Sequence, residues 1–301
     1  MNYQASASAK TILFGEHAVV YGEPAIAIPL PKIRTYVDMI PNESGFRVVS
    51  ESIGMDLAYE ELPSDSGIKI LIDLLMKELG LTGLPDETMR IRSDIPIASG
   101  LGSGAALSTA VIRVFGSRFS RDFSTEEVNA LTYEIEKVYH GTPSGVDNTT
   151  ITYEQPIIFS KQQGFCPLDA ETGNLDLLVI DSGIRSRTID VVSDVRAHYE
   201  ENKAAIAEIG SLVRTAVDVL KSSDPVEIGR LMDQNQYLLQ QIDVSCPELD
   251  HWINLGKKNG ALGGKLTGAG RGGNFLILAR DRANADALEK LYSSQGLRVI
   301  S

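Results

Sequence analysis

Glu136 and Asp147 stand 11 residues apart, and the stretch between them ends in His140-Gly-Thr-Pro-Ser-Gly-Val. Two carboxylates that converge on one cleft can divide the work of phosphoryl transfer. One holds Mg2+, and the other accepts a proton from an attacking hydroxyl. The Pro-Ser-Gly loop before Asp147 is by default a turn, although its small residues would also let a ligand approach. Lys10 stands near the start of a short apolar run that ends at Gly15. A lysine there is either a surface cation or the partner of a carboxylate or of a transferred phosphate. Glu16-His17 is a polar pair between apolar runs, either a solvated turn or a pair aimed at a ligand.

Phosphates would need a cradle, and two glycine-rich stretches offer one. Gly100, Gly102 and Gly104 alternate with Leu101 and Ser103 and lead into an Ala-rich segment. Glycine lets backbone N–H groups turn inward without a Cβ in the way. A helix that starts near Ser103 would add unpaired amides and the positive end of its dipole. No Gly-Lys-Ser/Thr follows, so this is not a Walker loop, and the spacing does not fit Gly-x-Gly-x-x-Gly. Taken alone, the stretch is either a phosphate loop or a glycine-rich turn before a core helix. The second stretch runs from Gly263 to Gly273 and holds six glycines in eleven residues, against 27 in the 301 of the whole chain. The apolar strand expected at 275–278 follows it closely, which a flexible linker would lack, so its backbone is expected to approach a ligand.

These groups need elements to position them. Strands are expected at 9–14, 25–28, 33–39 and 46–50, and Met89 and Ile91 alternate with Arg90 and Arg92 on a strand into the glycine loop. Helical spacing covers 68–79, and a helix is expected from Ser103 to Phe115. Ser124 and Glu127 form a capping box for a helix with Val128, Leu131, Ile135 and Val138 on one stripe. Glu136 lies off that stripe, and Gly141 and Pro143 end the helix. Beyond the polar stretch 169–174 come a buried strand at 175–180 and helices over 191–220 and 226–242. A strand–helix–strand unit at 275–278, 284–292 and 297–300 closes the chain. The polar stretch is taken as the junction of two domains, 1–174 and 175–301, two being usual at this length.

A formal net charge of −12 argues against nucleic acid or an anionic membrane as the main partner. Cys166 and Cys246 are isolated, and the four histidines show no zinc spacing. With no apolar run near 18 residues and no signal pattern, the expectation is a cytoplasmic protein. Any divalent ion would then be magnesium, held by oxygen ligands and nucleotide phosphates.

Four stretches together resemble the GHMP kinase superfamily over nearly the whole chain. Lys10-Thr-Ile-Leu-Phe-Gly-Glu16-His17-Ala-Val-Val-Tyr21-Gly22 is similar to its first motif, most like the members that phosphorylate mevalonate. Ile95-Pro96-Ile-Ala98-Ser99-Gly100-Leu101-Gly102-Ser103-Gly104-Ala105-Ala resembles its phosphate loop. Glu136 with His140-Gly-Thr-Pro-Ser-Gly-Val-Asp147-Asn148 resembles the loop of the catalytic aspartate, and Lys265-Leu-Thr-Gly268-Ala269-Gly its third motif. The resemblance implies an α/β (α+β) architecture of two domains, one like ribosomal protein S5 domain 2 and one ferredoxin-like, with ATP in the cleft. It implies ATP-dependent phosphorylation of the 5-hydroxyl of mevalonate.

Residue by residue, it implies Lys10 beside Asp147, with Asp147 taking or orienting the hydroxyl proton. Pro96 and residues Ala98 to Ala105 would bind the nucleotide. Glu136 and Ser103 would hold Mg2+. Lys10, Glu16, His17, Tyr21, Asp147, Thr188, Gly268 and Ala269 would meet the substrate. The family suggests a homodimer.

There are three departures from the family pattern. Gly104 replaces a serine that helps hold Mg2+, so Ser103 or a water must substitute. Arg271 replaces a glycine, and its charge either faces the phosphates or points to solvent. Ser8-Ala9 replaces Pro-Gly before the lysine. Two alternatives stand beside the main reading: a sibling kinase for phosphomevalonate or another mevalonate hydroxyl, and a non-catalytic nucleotide or isoprenoid sensor.

Overall fold

Alternating and helical apolar patterns give eleven strands and nine helices among the described residues of the computed structural model, which are 2–96, 100–140, 143–170 and 172–300, without the His140 side chain. In chain order they are β1 (Tyr3–Phe14), β2 (Ala25–Pro41), β3 (Arg47–Ser50), β4 (Met55–Ala58), α1 (Gly67–Glu78), β5 (Glu87–Ser93), α2 (Ser103–Arg118), α3 (Thr125–His140), α4 (Val146–Tyr153), β6 (Ile157–Ser160), β7 (Gly164–Pro167), β8 (Leu177–Asp181), α5 (Thr188–Ala197), α6 (Tyr199–Ser222), α7 (Pro225–Gln241), α8 (Pro247–Lys258), β9 (Gly263–Leu266), β10 (Asn274–Leu278), α9 (Arg282–Ser294) and β11 (Arg298–Val299). Two compact units share the chain, and neither is one continuous stretch. The first takes Met1–Ala9, Leu30–Ala98 and Gly102–Glu154; the second takes Lys10–Pro29, Ser99–Leu101 and Gln155–Ser301.

In the first unit, β5 pairs antiparallel with β2, Thr35 opposite Ser93, and parallel with β3, whose other edge carries β4. Helix α2 packs on α1, α3 and α4 and is buried on nearly every face, through Ala105, Ala106, Val111, Val114 and Phe115. That explains its weak amphipathic pattern, since a helix enclosed by neighbours has no polar face to show. The capping box expected at Ser124 forms: its hydroxyl accepts from the Glu127 amide, and the Glu127 carboxylate accepts from the Ser124 amide. Arg34 and Arg113 both bond Glu154, just past α4.

In the second unit, the start of β2 pairs with β6, Ala25 opposite Phe159, and β6 pairs with β7. A separate antiparallel sheet runs β11-β8-β10-β9, with α7 and α8 packed on β9. Every residue of β10 is buried, the apolar run Phe275–Leu278 and the Asn274 before it.

Several boundaries differ from expectation. β2 is one strand rather than two, because Pro29 and Pro31 fall between its pairings with β6 (25–27) and β5 (35–41). The long helix expected over 191–220 breaks at His198, which separates α5 from α6. Helices α4 and α8 were not expected. The first is eight residues rich in Thr, and the second starts at a Cys246 cap with no side-chain bond.

Candidate active site

In the second unit, β1 carries Lys10–Phe14 into contact with both glycine-rich stretches. The Lys10 amide donates to the Leu101 carbonyl at 3.1 Å. The Thr267 hydroxyl donates to the Ile12 carbonyl at 3.1 Å and lies 3.0 Å from the Thr11 hydroxyl. The chain then turns at Gly15 (φ 98°), where a Cβ would meet the Pro24 carbonyl oxygen at 2.6 Å. That close approach is why a glycine is needed there.

After the turn, Glu16 and His17 are both buried against the third stretch. Lys265 donates to Oε1 of Glu16, and Nε2 of His17 lies 2.8 Å from the Ala269 carbonyl oxygen. Burial pushes the Glu16 carboxyl up, opposed mainly by the Lys265 charge and last by that of Lys10. It pushes the Lys265 ammonium down, opposed by Glu16, and holds the His17 imidazole below its ordinary value. Tyr21 ends a 3₁₀ turn over Ala18–Tyr21 and stacks on Tyr199, ring centroids 4.7 Å apart. Its hydroxyl is buried with no hydrogen-bond partner among the described residues. The third stretch is also tied to the segment after β8. Ser186 donates to the Gly270 carbonyl at 2.7 Å, and Gly273 donates its amide to Ile184 at 2.9 Å. Thr188, exposed, begins α5 two residues beyond Ser186.

In the first unit, α2 starts at Ser103 behind Gly102 (φ 76°), and no side chain caps its first amides. Such a helix start is suited to an anion. A Cβ on Gly104 would come within 3.1 Å of Oε1 of Glu136 and 3.4 Å of the Tyr139 ring. Glu136 is buried on α3, and its neighbour Tyr139 also covers Gly67 at the start of α1. Asp147, half-buried, lies in the first turn of α4 after Gly145 (φ 91°). The positive end of that helix favours a carboxylate. Asn148 donates to Asn129 at 2.7 Å and ties α4 to α3.

Among the described residues no three His, Cys, Asp or Glu cluster into a metal cage. The donors at the start of α2 are one carboxylate, Glu136, and one hydroxyl, Ser103. These are hard oxygen donors that fit Mg2+ when nucleotide phosphates supply the rest.

The expected site residues fall in both units. Lys10, Glu16, His17, Tyr21, Gly100, Leu101, Thr188, Gly268 and Ala269 belong to the second; Pro96, Gly102, Ser103, Gly104, Ala105, Glu136 and Asp147 belong to the first. Ala98 and Ser99 lie outside the described residues, as do Gly141 and Thr142 of the loop before Asp147.

The packing bears on two expectations. Most of the glycines of 263–273 are required by close protein contacts. Gly263 lies against the Gly229 carbonyl, Gly264 against Ile277, Gly270 against the Val244 carbonyl and Gly272 against Ile184. Gly268 and Gly273 alone in the stretch have open space beside them, and their positive φ accounts for the glycine. Arg271 does not stand in bare solvent. Its guanidinium bonds the carboxylates of Asp194 and Asp243, and its amide donates to Val244 at 2.8 Å. At φ 52° the position favours glycine, and these bonds hold the arginine in it. Lys265 enters the sequence analysis only as part of the third motif, with no role of its own. Its neighbours are small or apolar, but no strand was expected at 263–266, so nothing local marks it as buried and paired.

The sequence model for the GHMP kinases N terminal domain matches residues 66–155, and that for the GHMP kinases C terminal part matches 216–295. Mevalonate kinase of Thermococcus onnurineus is 34% identical over 99% of this chain and 98% of its own. Among solved structures, L. major mevalonate kinase in complex with R-mevalonate is 31% identical with a TM-score of 0.83, covering 97% of this chain and 91% of that one. The Methanococcus jannaschii mevalonate kinase is 26% identical with a TM-score of 0.88, covering 99% and 96%.

Proposed function

The chain belongs to the GHMP kinases, and on that premise we propose that it transfers the γ-phosphoryl group of ATP to the 5-hydroxyl of (R)-mevalonate. What carries the reading is that one unit holds both halves of phosphoryl chemistry. An uncapped helix start lies beside the buried Glu136, and Asp147 lies in the first turn of α4. The full-length likeness to proteins named mevalonate kinase supports that substrate over others of the family.

In this reading the amides and side chains of Pro96 and of Ala98 to Ala105 bind the triphosphate. Glu136 and the Ser103 hydroxyl would hold Mg2+, which would neutralise charge on the phosphates. Asp147 takes the proton of the 5-hydroxyl as its oxygen forms a bond to the γ-phosphorus. The bond from that phosphorus to the β-bridging oxygen breaks, and ADP leaves. Lys10 supplies positive charge to the transferring group. His17, Tyr21, Thr188, Gly268 and Ala269 line the alcohol side, with Glu16 behind His17. The division at 174/175, a cytoplasmic location and a homodimer go with the same proposal. No helix among the described residues is long and apolar enough to cross a membrane.

The test is product analysis with ATP and a panel of mevalonate, phosphomevalonate, homoserine and galactose. The expected product is mevalonate 5-phosphate. Preferred turnover of phosphomevalonate would move the activity to a sibling kinase, and no transfer to any alcohol would favour a sensor.

A further inference from the structure

We propose that Lys265 is a positioning residue, which by holding the Glu16 carboxylate fixes the backbone turn that presents His17 to the alcohol substrate. This rests on the reading above that His17 faces that substrate. Lys265 lies within β9 with none of its side chain exposed, and its ammonium bonds Glu16 and the Leu266 carbonyl, the latter at 2.6 Å. The second oxygen of Glu16 is buried with no hydrogen-bond partner among the described residues, so Lys265 is the side chain whose hydrogen bond secures this carboxylate. A fully buried ion pair adds little stability over apolar residues of the same size, because desolvation offsets the attraction. Stability alone therefore does not account for two charges at this place.

The backbone around Glu16 gives the pair a task. Gly15 and His17, on either side, both have positive φ, 98° and 61°. For histidine that conformation is strained and persists only where its surroundings over-determine it. Two of those surroundings come from one short segment: Lys265 grips Glu16, and four residues on the Ala269 carbonyl grips the His17 ring. Between them Thr267 bonds the Ile12 carbonyl at 3.1 Å. The segment 265–269 thus acts as a template to which β1 and its turn are fastened, and Lys265 is its one charged anchor.

The test compares wild type, Lys265→Met, and the double variant Glu16→Gln/Lys265→Met. Three quantities are measured: KM for mevalonate, calorimetric affinity for a non-hydrolysable ATP analogue, and the thermal midpoint. Lys265→Met strands a buried carboxylate, so its midpoint falls. The double variant strands no charge, and its midpoint recovers. In both, KM for mevalonate is expected to rise at least about 10-fold, the scale of lost outer-shell support, while nucleotide affinity stays within about twofold of wild type. A double variant with wild-type KM would overturn the proposal. So would equal losses of mevalonate and nucleotide binding at a recovered midpoint, or failure of both variants to fold, since either makes the pair a requirement of the fold. If the wild type phosphorylates another alcohol of the panel, KM is compared on that alcohol. A wrong substrate and a wrong role for Lys265 then give different results.

Discussion

His17 Nε2 lies 2.8 Å from a carbonyl oxygen, which can only accept, so that nitrogen carries the ring proton and the neutral imidazole keeps Nδ1 as an acceptor. Burial first, and the Arg271 charge as well, hold its pKa below the ordinary 6.5, against the bond to Ala269. Between the folded value and 6.5 the unfolded chain binds more protons than the native protein. The stability His17 gives is therefore full above pH 6.5 and is lost as the pH falls through the folded value, by at most about 1.4 kcal/mol per pH unit. Urea unfolding at pH 7.5 and 5.5 should show a smaller acid loss in His17→Gln than in wild type. Equal losses would show that another group titrates. Gly104 makes a second prediction at this scale. Gly104→Ala places a Cβ 3.1 Å from Oε1 of Glu136 and displaces that carboxylate without adding a ligand. The Mg2+ concentration for half-maximal rate should rise about 10-fold, as when support of a metal ligand is lost. An unchanged Mg2+ titration would show that Glu136 does not hold the ion.

At the scale of elements, α3 matters because it positions Glu136, and its start is set by Ser124 and Glu127. Ser124→Ala should cost about 1 kcal/mol in urea unfolding and leave kcat unchanged. Unaltered stability would mean the cap contributes nothing here. A cap of this kind made α3 legible in the sequence; α7 starts in the same way, at an Asp224 cap followed by Pro225. Helix α4 was not legible, because Val146–Tyr153 is short and Thr-rich, so local preference does not announce it. Packing against α2 and α3 makes it a helix, and that is a tertiary effect. Likewise β2 reads as two strands, since pairing partners, not local sequence, decide whether Pro29 and Pro31 interrupt a ladder.

At the scale of the molecule, the sequence points to the stretches proposed for the site but not to how the chain shares them out. Lys10–Pro29 and Ser99–Leu101 belong to the second compact unit although they lie early in the chain. Spacing along the sequence carries no such information. Lys265 is the sharpest case: among glycines a lysine reads as loop, and only the fold reveals its bond to Glu16, 249 residues away. With a net charge of −12, attraction to a triphosphate must come from local amides and a few cations rather than from the whole surface. The central claim is that Asp147 takes the proton of the attacked alcohol. The most direct measurement is steady-state kinetics of Asp147→Asn with ATP and mevalonate. At least about a 10²-fold fall in kcat is predicted, the scale of a positioned proton acceptor, with both KM values within a few-fold of wild type. Turnover close to wild type in that variant would contradict the claim.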